Sequence, residues 1–77
     1  MFVISQNGEH TVNMDEAEEI LTEHYDNEIF VRMKSGSRIL LAKYTDRKTL
    51  GRDMTDLLRH YEEGKKIYIF PEGESDE

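Results

Sequence analysis

The chain has no cysteine, no tryptophan and a single proline. Without cysteine it can form neither disulfides nor thiolate metal sites, which excludes the class of small secreted proteins that disulfides stabilise. No apolar run approaches the roughly 18 residues that a membrane span needs, and the first residues lack the basic and apolar segments of a signal peptide. We therefore expect a cytoplasmic protein with no membrane partner.

The length of the chain, 77 residues, allows one hydrophobic core. A chain this short buries only about 60% of its unfolded surface and cannot be divided into two independent cores. Apolar residues make up 36% of the sequence and charged residues 35%, and the apolar ones recur in periodic clusters that disordered chains lack. We predict a single α+β domain over residues 1–71 and an acidic disordered tail at 72–77.

Acidic and basic residues are segregated along the sequence. Residues 1–28 contain eight acids and no Lys or Arg, residues 29–70 contain all ten bases and five acids, and residues 71–77 contain four acids. The three segments carry formal charges of −8, +5 and −4, which together give −7. The segregation has two possible explanations. The charged residues form solvent-exposed faces and an acidic tail, or they polarise the surface so that it steers a partner.

Turn signals and alternating apolar residues predict a sheet made of hairpins. Asn7-Gly8 between two β-favouring runs predicts a hairpin over residues 2–13 with a type I′ turn. Glycine in the loop 35–37 predicts a second hairpin, with arms at 29–34 and 38–44. Residues 14–25 have helical spacing but are short, so we favour one helical turn at 15–18 followed by a strand.

One amphipathic helix is predicted at residues 46–63. Asp46 or Thr45 can cap it, Gly64 ends it, and its apolar stripe comprises Leu50, Met54, Leu57, Leu58 and Tyr61. Gly51 inside the helix indicates either a closely packed backbone or a weaker first turn.

A last strand at 67–70 follows the helix, and Pro71 stops it. The predicted order is β-β-β-β-β-α-β, a small curved, mostly antiparallel sheet of five to six short strands packed by the helix.

No motif indicates catalysis. His10, His24 and His60 lie on separate elements without the spacing of a metal site, and the serines lack a nucleophile or phosphate-loop context. We predict a protein that is not an enzyme, with no catalytic residue, no cofactor, no metal and no small-molecule substrate.

The predicted sheet brings basic residues together. Arg32, Lys34, Arg38 and Lys43 come from two paired strands with Tyr44 nearby, which is a platform on which an anionic strand can stack. The competing interpretation, which we favour, is that these side chains cover a solvent-facing sheet and pair in part with the acidic first segment.

The last strand is bulky on both faces. If Ile67 and Ile69 point inward, Tyr68 and Phe70 point outward, or the reverse. One pair is therefore left for an interface unless both faces are covered. A short strand at a sheet edge can also accept a further strand. The predicted interaction surface comprises Arg32, Lys34, Arg38, Lys43, Tyr44, Tyr68 and Phe70.

The segments MFVISQNG at 1–8, VNMD at 12–15 and GSRILLAKY at 36–44 resemble a family of short uncharacterised proteins from Gram-positive bacteria and their prophages. The helix and the closing IYIFPE at 67–72 follow in the same order. The resemblance implies a cytoplasmic accessory role linked to mobile elements, and it brings no activity, cofactor or ligand residues.

The leading hypothesis is a non-enzymatic protein–protein interaction module or accessory regulator whose partner is another protein or a second copy of the chain. The first alternative is a small nucleic-acid-associated regulator that uses the basic sheet face. The second alternative is an acidic inhibitor that imitates DNA towards a host protein.

Overall fold

The computed structural model describes residues 1–71 and shows an α+β fold of six strands and one α-helix in that part of the chain. The predicted tail at 72–77 lies outside the described residues. The predicted order of elements is confirmed, with a short 3-10 turn at Met14–Glu16 between the second and third strands. In chain order the elements are β1 Phe2–Ile4, β2 Thr11–Asn13, β3 Ala17–Glu23, β4 Glu28–Met33, β5 Arg38–Lys43, α1 Arg47–Glu62 and β6 Ile67–Ile69.

The hairpin of β1 and β2 is confirmed, but its predicted turn type is wrong. Gly8 has a positive φ of 77° and Asn7 does not, so the loop is not a type I′ turn. Instead, the Ser5 hydroxyl donates to Asn7 Oδ1 at 2.7 Å and accepts the N–H of His10 at 3.1 Å. These side-chain hydrogen bonds stabilise a wider loop at 5–10.

The strands form two three-stranded sheets rather than one continuous sheet. The first has the order β2-β1-β6 and the second β3-β4-β5. The 3-10 turn redirects the chain between β2 and β3, which agrees with the helical turn predicted there. The sheets meet again where the Gln6 N–H donates to the Leu41 carbonyl at 2.7 Å and Gln6 Oε1 accepts the N–H of Lys43 at 2.9 Å.

The second sheet is an antiparallel meander whose two faces follow the alternation of its strands. Ile29 and Val31 of β4 are fully buried, whereas Phe30 and Arg32 lie on the outer face. Gly36 in the β4–β5 loop has a φ of 99°, the left-handed conformation that the sequence predicted for it.

Helix α1 begins after Asp46, whose side chain accepts the N–H of Thr49 at 2.7 Å. It ends at Glu62, and Gly64 has a φ of 75°, as expected beyond a helix end. The predicted apolar stripe is too wide. Leu50 and Leu57 are buried, but Leu58 and Tyr61 are exposed.

The core lies between the two sheets and the helix. In the first sheet β1 pairs with β6 in parallel, and Val3 is in register with both Val12 and Tyr68, which places all three on the inner face. The buried apolar residues are Val3, Val12, Ile29, Val31, Leu41, Ala42, Tyr44, Leu50, Leu57, Tyr68 and Phe70.

Candidate interaction surface

The predicted basic residues lie on or beside the outer face of the second sheet, where acidic side chains from β3 accompany them. Arg32 is in register with Glu19 on one side and Arg38 on the other. Its Nη2 lies 2.6 Å from Glu19 Oε1, and its Nε lies 3.3 Å from Glu18 Oε1 without the alignment of a hydrogen bond. Arg32 is therefore engaged by the acidic first segment.

Two further predicted cations also have partners within the chain. Lys43 Nζ lies 3.6 Å from Glu28 Oε2. The guanidinium carbon of Arg38 lies 4.7 Å from the centre of the Phe30 ring, a cation–π contact. Lys34 is exposed in the loop after β4. Two of the four predicted cations thus pair with acids of the first segment, in agreement with the partial pairing that the sequence favoured.

The three aromatic residues of the predicted surface require correction, because Tyr44, Tyr68 and Phe70 are buried. Phe70 is 2% exposed and its ring meets the edge of Tyr68 at 5.1 Å between centres. Of the two alternatives left open for the last strand, the second holds, so Ile67 and Ile69 point outward. Register with Val3 decides this, because it places Tyr68 on the core side of β6.

Two of these aromatics form a buried polar cluster with α1. The Tyr44 hydroxyl donates to Asp53 Oδ2 at 2.8 Å, and the Tyr68 hydroxyl donates to the Asp53 carbonyl at 3.4 Å. Asp53 is only 4% exposed, and its other carboxylate oxygen lies 3.3 Å from Arg52 Nε. The cluster joins the helix to β6 and to the end of β5.

The cluster keeps both phenols protonated. Burial raises the pKa of Tyr44 far above its usual range, and the hydrogen bond to Asp53 raises it further. Burial also raises the pKa of Tyr68, assisted by the negative charges of Asp56 and Asp53. The neutral Tyr44 phenol donates to the buried Asp53 carboxylate and so satisfies a charge that the apolar core would otherwise disfavour.

A surface that the sequence did not predict lies on the opposite side of the first sheet. Phe2 is in register with Ile67, and Ile4 is in register with Ile69. Phe2 is 47% exposed, Ile67 55% and Ile69 61%. Three large apolar side chains on one strand pair are thus about half open to solvent.

The exposed apolar surface continues from this sheet onto the end of α1. One groove is lined by Met1, Phe2, Tyr61, Ile67 and the segment 64–66. An adjoining groove is lined on one side by Met1, Tyr61, Leu58 and Leu57. Its other side is lined by Met14 and residues 17–20, which we call the β2–β3 corner. We call the surface made by Met1, Phe2, Leu58, Tyr61, Ile67 and Ile69 the apolar strip.

Strand β6 is also an open edge within the described part of the chain, since it pairs with β1 alone. The Phe2 N–H donates to the Lys66 carbonyl at 2.8 Å, and the Phe70 N–H donates to the Ile4 carbonyl at 3.1 Å. In a parallel ladder, alternate residues of a strand direct their N–H and C=O groups to opposite sides. Ile67 and Ile69 of β6 therefore direct theirs away from β1. Hydrogen-bonding groups of β6 therefore face outward beside the apolar strip.

Sequence signals for the apolar strip existed but did not decide it. The alternation in 67–70 allowed two opposite faces, and only the register with β1 chose between them. Leu58 and Tyr61 fall at helical spacing with Leu50 and Leu57, so periodicity placed them in the core. In the described part of the chain, no strand or second helix packs over Leu58 and Tyr61.

Neither a cluster of metal ligands nor a membrane-spanning helix is seen in residues 1–71. No three His, Asp or Glu side chains lie close enough together to hold a metal ion in that range. None of the helices described there is long and apolar enough to cross a membrane. Comparisons with protein-family models, with curated proteins and with solved structures gave no match. The resemblance to short Gram-positive and prophage proteins therefore stays a prediction.

Proposed function

We propose that this chain is a non-enzymatic cytoplasmic protein–protein interaction module that binds its partner through the apolar strip. The observation that carries the proposal is the clustering of exposed apolar side chains. Five of the seven large apolar residues exposed within residues 1–71 belong to the strip, namely Phe2, Leu58, Tyr61, Ile67 and Ile69. Contiguous apolar patches of this kind mark interaction sites on small proteins.

The energetics favour a partner that covers the strip. Removing a Phe or Ile side chain from water contributes about 1.5–3 kcal/mol when burial is complete, and Phe2, Ile67 and Ile69 are about half exposed. Their remaining exposed area thus offers several kcal/mol to a protein that packs on them. The open edge of β6 adds backbone hydrogen bonds for a partner strand.

The chemistry of the strip favours protein over nucleic acid or a small molecule. Nucleic acid needs clustered unpaired cations, and three of the four predicted basic residues have partners: Arg32 and Lys43 contact acids, and Arg38 contacts an aromatic ring. A small-molecule site needs a concave pocket with converging polar groups, whereas the strip runs along a strand pair and a helix end.

The test compares three immobilised baits in a lysate of the source cells. The first is the wild-type chain, and the second carries I67T/I69T, which keeps β-branched residues in β6 while removing apolar surface. The third is the control L40T, which changes an exposed apolar residue on the outer face of the other sheet. Mass spectrometry identifies what each bait retains, including a second copy of the chain.

We expect the wild-type and L40T baits to retain the same protein, and the I67T/I69T bait to retain it at least about tenfold less. Circular dichroism checks that all three baits are folded. If the I67T/I69T bait retains the same proteins in the same amounts as wild type, the apolar strip is not the binding surface.

A further inference from the structure

We infer that the partner of the apolar strip is a second copy of this chain, related to the first by a two-fold axis near Met1 and Tyr61. This inference rests on the proposed function and names its partner. It follows from the charges at the two ends of the strip, which are opposite in sign.

The acidic end is the groove beside the β2–β3 corner. Glu18 and Glu19 line this groove, where they adjoin Leu58 and Tyr61. Arg32 is the cation paired with them, so two negative charges meet one positive charge. This end of the strip therefore remains negative.

The basic end is the groove beside the loop that leads into β6. Lys65 and Lys66 line it together with Phe2 and Ile67. Both lysines are exposed, and neither forms an ion pair in the described part of the chain. Met1 and Tyr61 line both grooves, so the two ends adjoin one continuous apolar surface.

A two-fold axis through the middle of such a surface exchanges its ends. In a symmetric dimer each contact occurs twice, and the same patch serves on both subunits. The acidic pair Glu18 and Glu19 of each copy then faces Lys65 and Lys66 of the other, while Met1 and Tyr61 pack near the axis. The strip is thus complementary to itself in both apolar character and charge.

The test uses charge reversal at each end, read by sedimentation velocity at concentrations up to about 1 mM. K65E/K66E gives acid at both ends of the strip, and E18K/E19K gives base at both ends. Each variant alone places like charges in contact twice. We expect the dimer dissociation constant of each to rise at least about tenfold.

Mixing the two variants tests whether the acidic end of one copy contacts the basic end of the other. In the mixed dimer both contacts join acid to base again, with the signs exchanged at one contact, so association is expected to return to near the wild-type level. The matched control is R47E/K48E, which changes net charge as much as K65E/K66E does but at the start of α1. It is expected to dimerise like wild type, and thermal melts check that all variants are folded.

Three results would overturn the inference. The wild-type chain stays monomeric at every concentration, or either charge-reversal variant dimerises as wild type does, or the mixture of the two variants does not associate. A dimer joined through the β6 edge alone would give the second result for E18K/E19K. If the dimer fails while the wild-type bait still retains another protein through Ile67 and Ile69, the proposed function stands with a different partner.

Discussion

At the scale of single residues, the phenol of Tyr44 stabilises the core because it donates a hydrogen bond to a buried carboxylate. Asp53 sits at a core-facing position of α1 between the apolar Leu50 and Leu57. Its Oδ2 accepts the Tyr44 hydroxyl at 2.8 Å. A carboxylate in this setting destabilises the fold unless its hydrogen bonds are made.

Removing the hydroxyl in Tyr44→Phe is therefore expected to lower the free energy of unfolding by about 1.5–3 kcal/mol, the usual contribution of a hydrogen bond to a charged group. Urea denaturation at neutral pH measures the change. The control is Tyr61→Phe, which removes a hydroxyl from an exposed residue and should leave stability nearly unchanged. Equal stability of Y44F and wild type would show that the hydrogen bond contributes nothing.

The raised pKa values of Tyr44 and Tyr68 also predict a loss of stability in alkali. An unfolded tyrosine loses its proton near pH 10, whereas the folded pKa lies higher, so the folded state binds more protons above that pH. The stabilisation is complete below about pH 10 and falls as pH rises, by up to about 1.4 kcal/mol per pH unit for each tyrosine. Urea denaturation across this range should show a smaller slope in Y44F, and an unchanged slope would contradict the assignment.

Sequence reasoning missed this cluster for a definite reason. It assigned Tyr44 to the surface because that residue lies near the basic residues of the predicted hairpin, and it built the helix stripe from apolar residues only. Asp53 lies three residues after Leu50, a spacing that shares a helix face, but a charged residue there is normally assigned to solvent. The phenol that makes its burial tolerable belongs to Tyr44, which lies outside the helix, so helical periodicity does not indicate it.

At the scale of elements, two glycines affect the stability of α1 in opposite ways, Gly64 beyond its end and Gly51 inside it. Gly64 has a φ of 75° and ends α1 in a conformation that glycine adopts most readily. Gly51 lies inside α1, and a Cβ built there meets nothing within 4 Å. Of the two explanations that the sequence allowed for Gly51, the close backbone is wrong and the weaker first turn remains.

Gly51→Ala is therefore expected to raise the free energy of unfolding by about 0.5–1 kcal/mol, because alanine loses less backbone entropy in a helix. Gly64→Ala is expected to have the opposite effect and to lower the free energy of unfolding by about 1–2 kcal/mol, because a left-handed conformation costs that much for a residue with a Cβ. Thermal melts followed by circular dichroism measure both. A destabilised G51A would mean that something contacts that face of the helix.

The local sequence of β6 predicted that a strand forms there, but it did not predict which face of the strand is buried. The sequence predicted a strand at 67–70 and Pro71 as its end, and the structure has it at Ile67–Ile69. Alternation correctly divided the strand into two faces but could not say which was the inner one. The register Val3 with Tyr68 joins residues 65 positions apart, and no local signal carries that information.

At the scale of the whole molecule, the charge segregation along the sequence is largely undone by folding. Antiparallel pairing of β3 with β4 places the acids of the first segment beside the bases of the middle one. Glu19 contacts Arg32 through this pairing, and Glu28 contacts Lys43 through the pairing of β4 with β5. The chain keeps its net charge of −7, but its outer sheet face is mixed rather than basic.

This compensation predicts that the chain binds nucleic acid weakly. Titration with single- and double-stranded oligonucleotides at about 50 mM salt is expected to show no saturable binding that depends on the outer sheet face, since Arg32 and Lys43 there already contact acids. Fluorescence anisotropy of labelled oligonucleotides measures it. Salt-sensitive binding by the wild-type chain that R32E/R38E abolishes would instead support the nucleic-acid alternative.

Local physical chemistry determined the elements of this protein from sequence alone. The Asp46 cap, the left-handed glycines at 36 and 64 and the alternation of β4 each act within a few residues, so the sequence identified the helix, the central hairpin and the α+β class. Tertiary structure alone decided the split into two sheets, the inner position of Tyr68 and the exposure of Leu58. Each of these depends on which distant segment a face meets, because a periodic pattern specifies that a face exists but not what covers it.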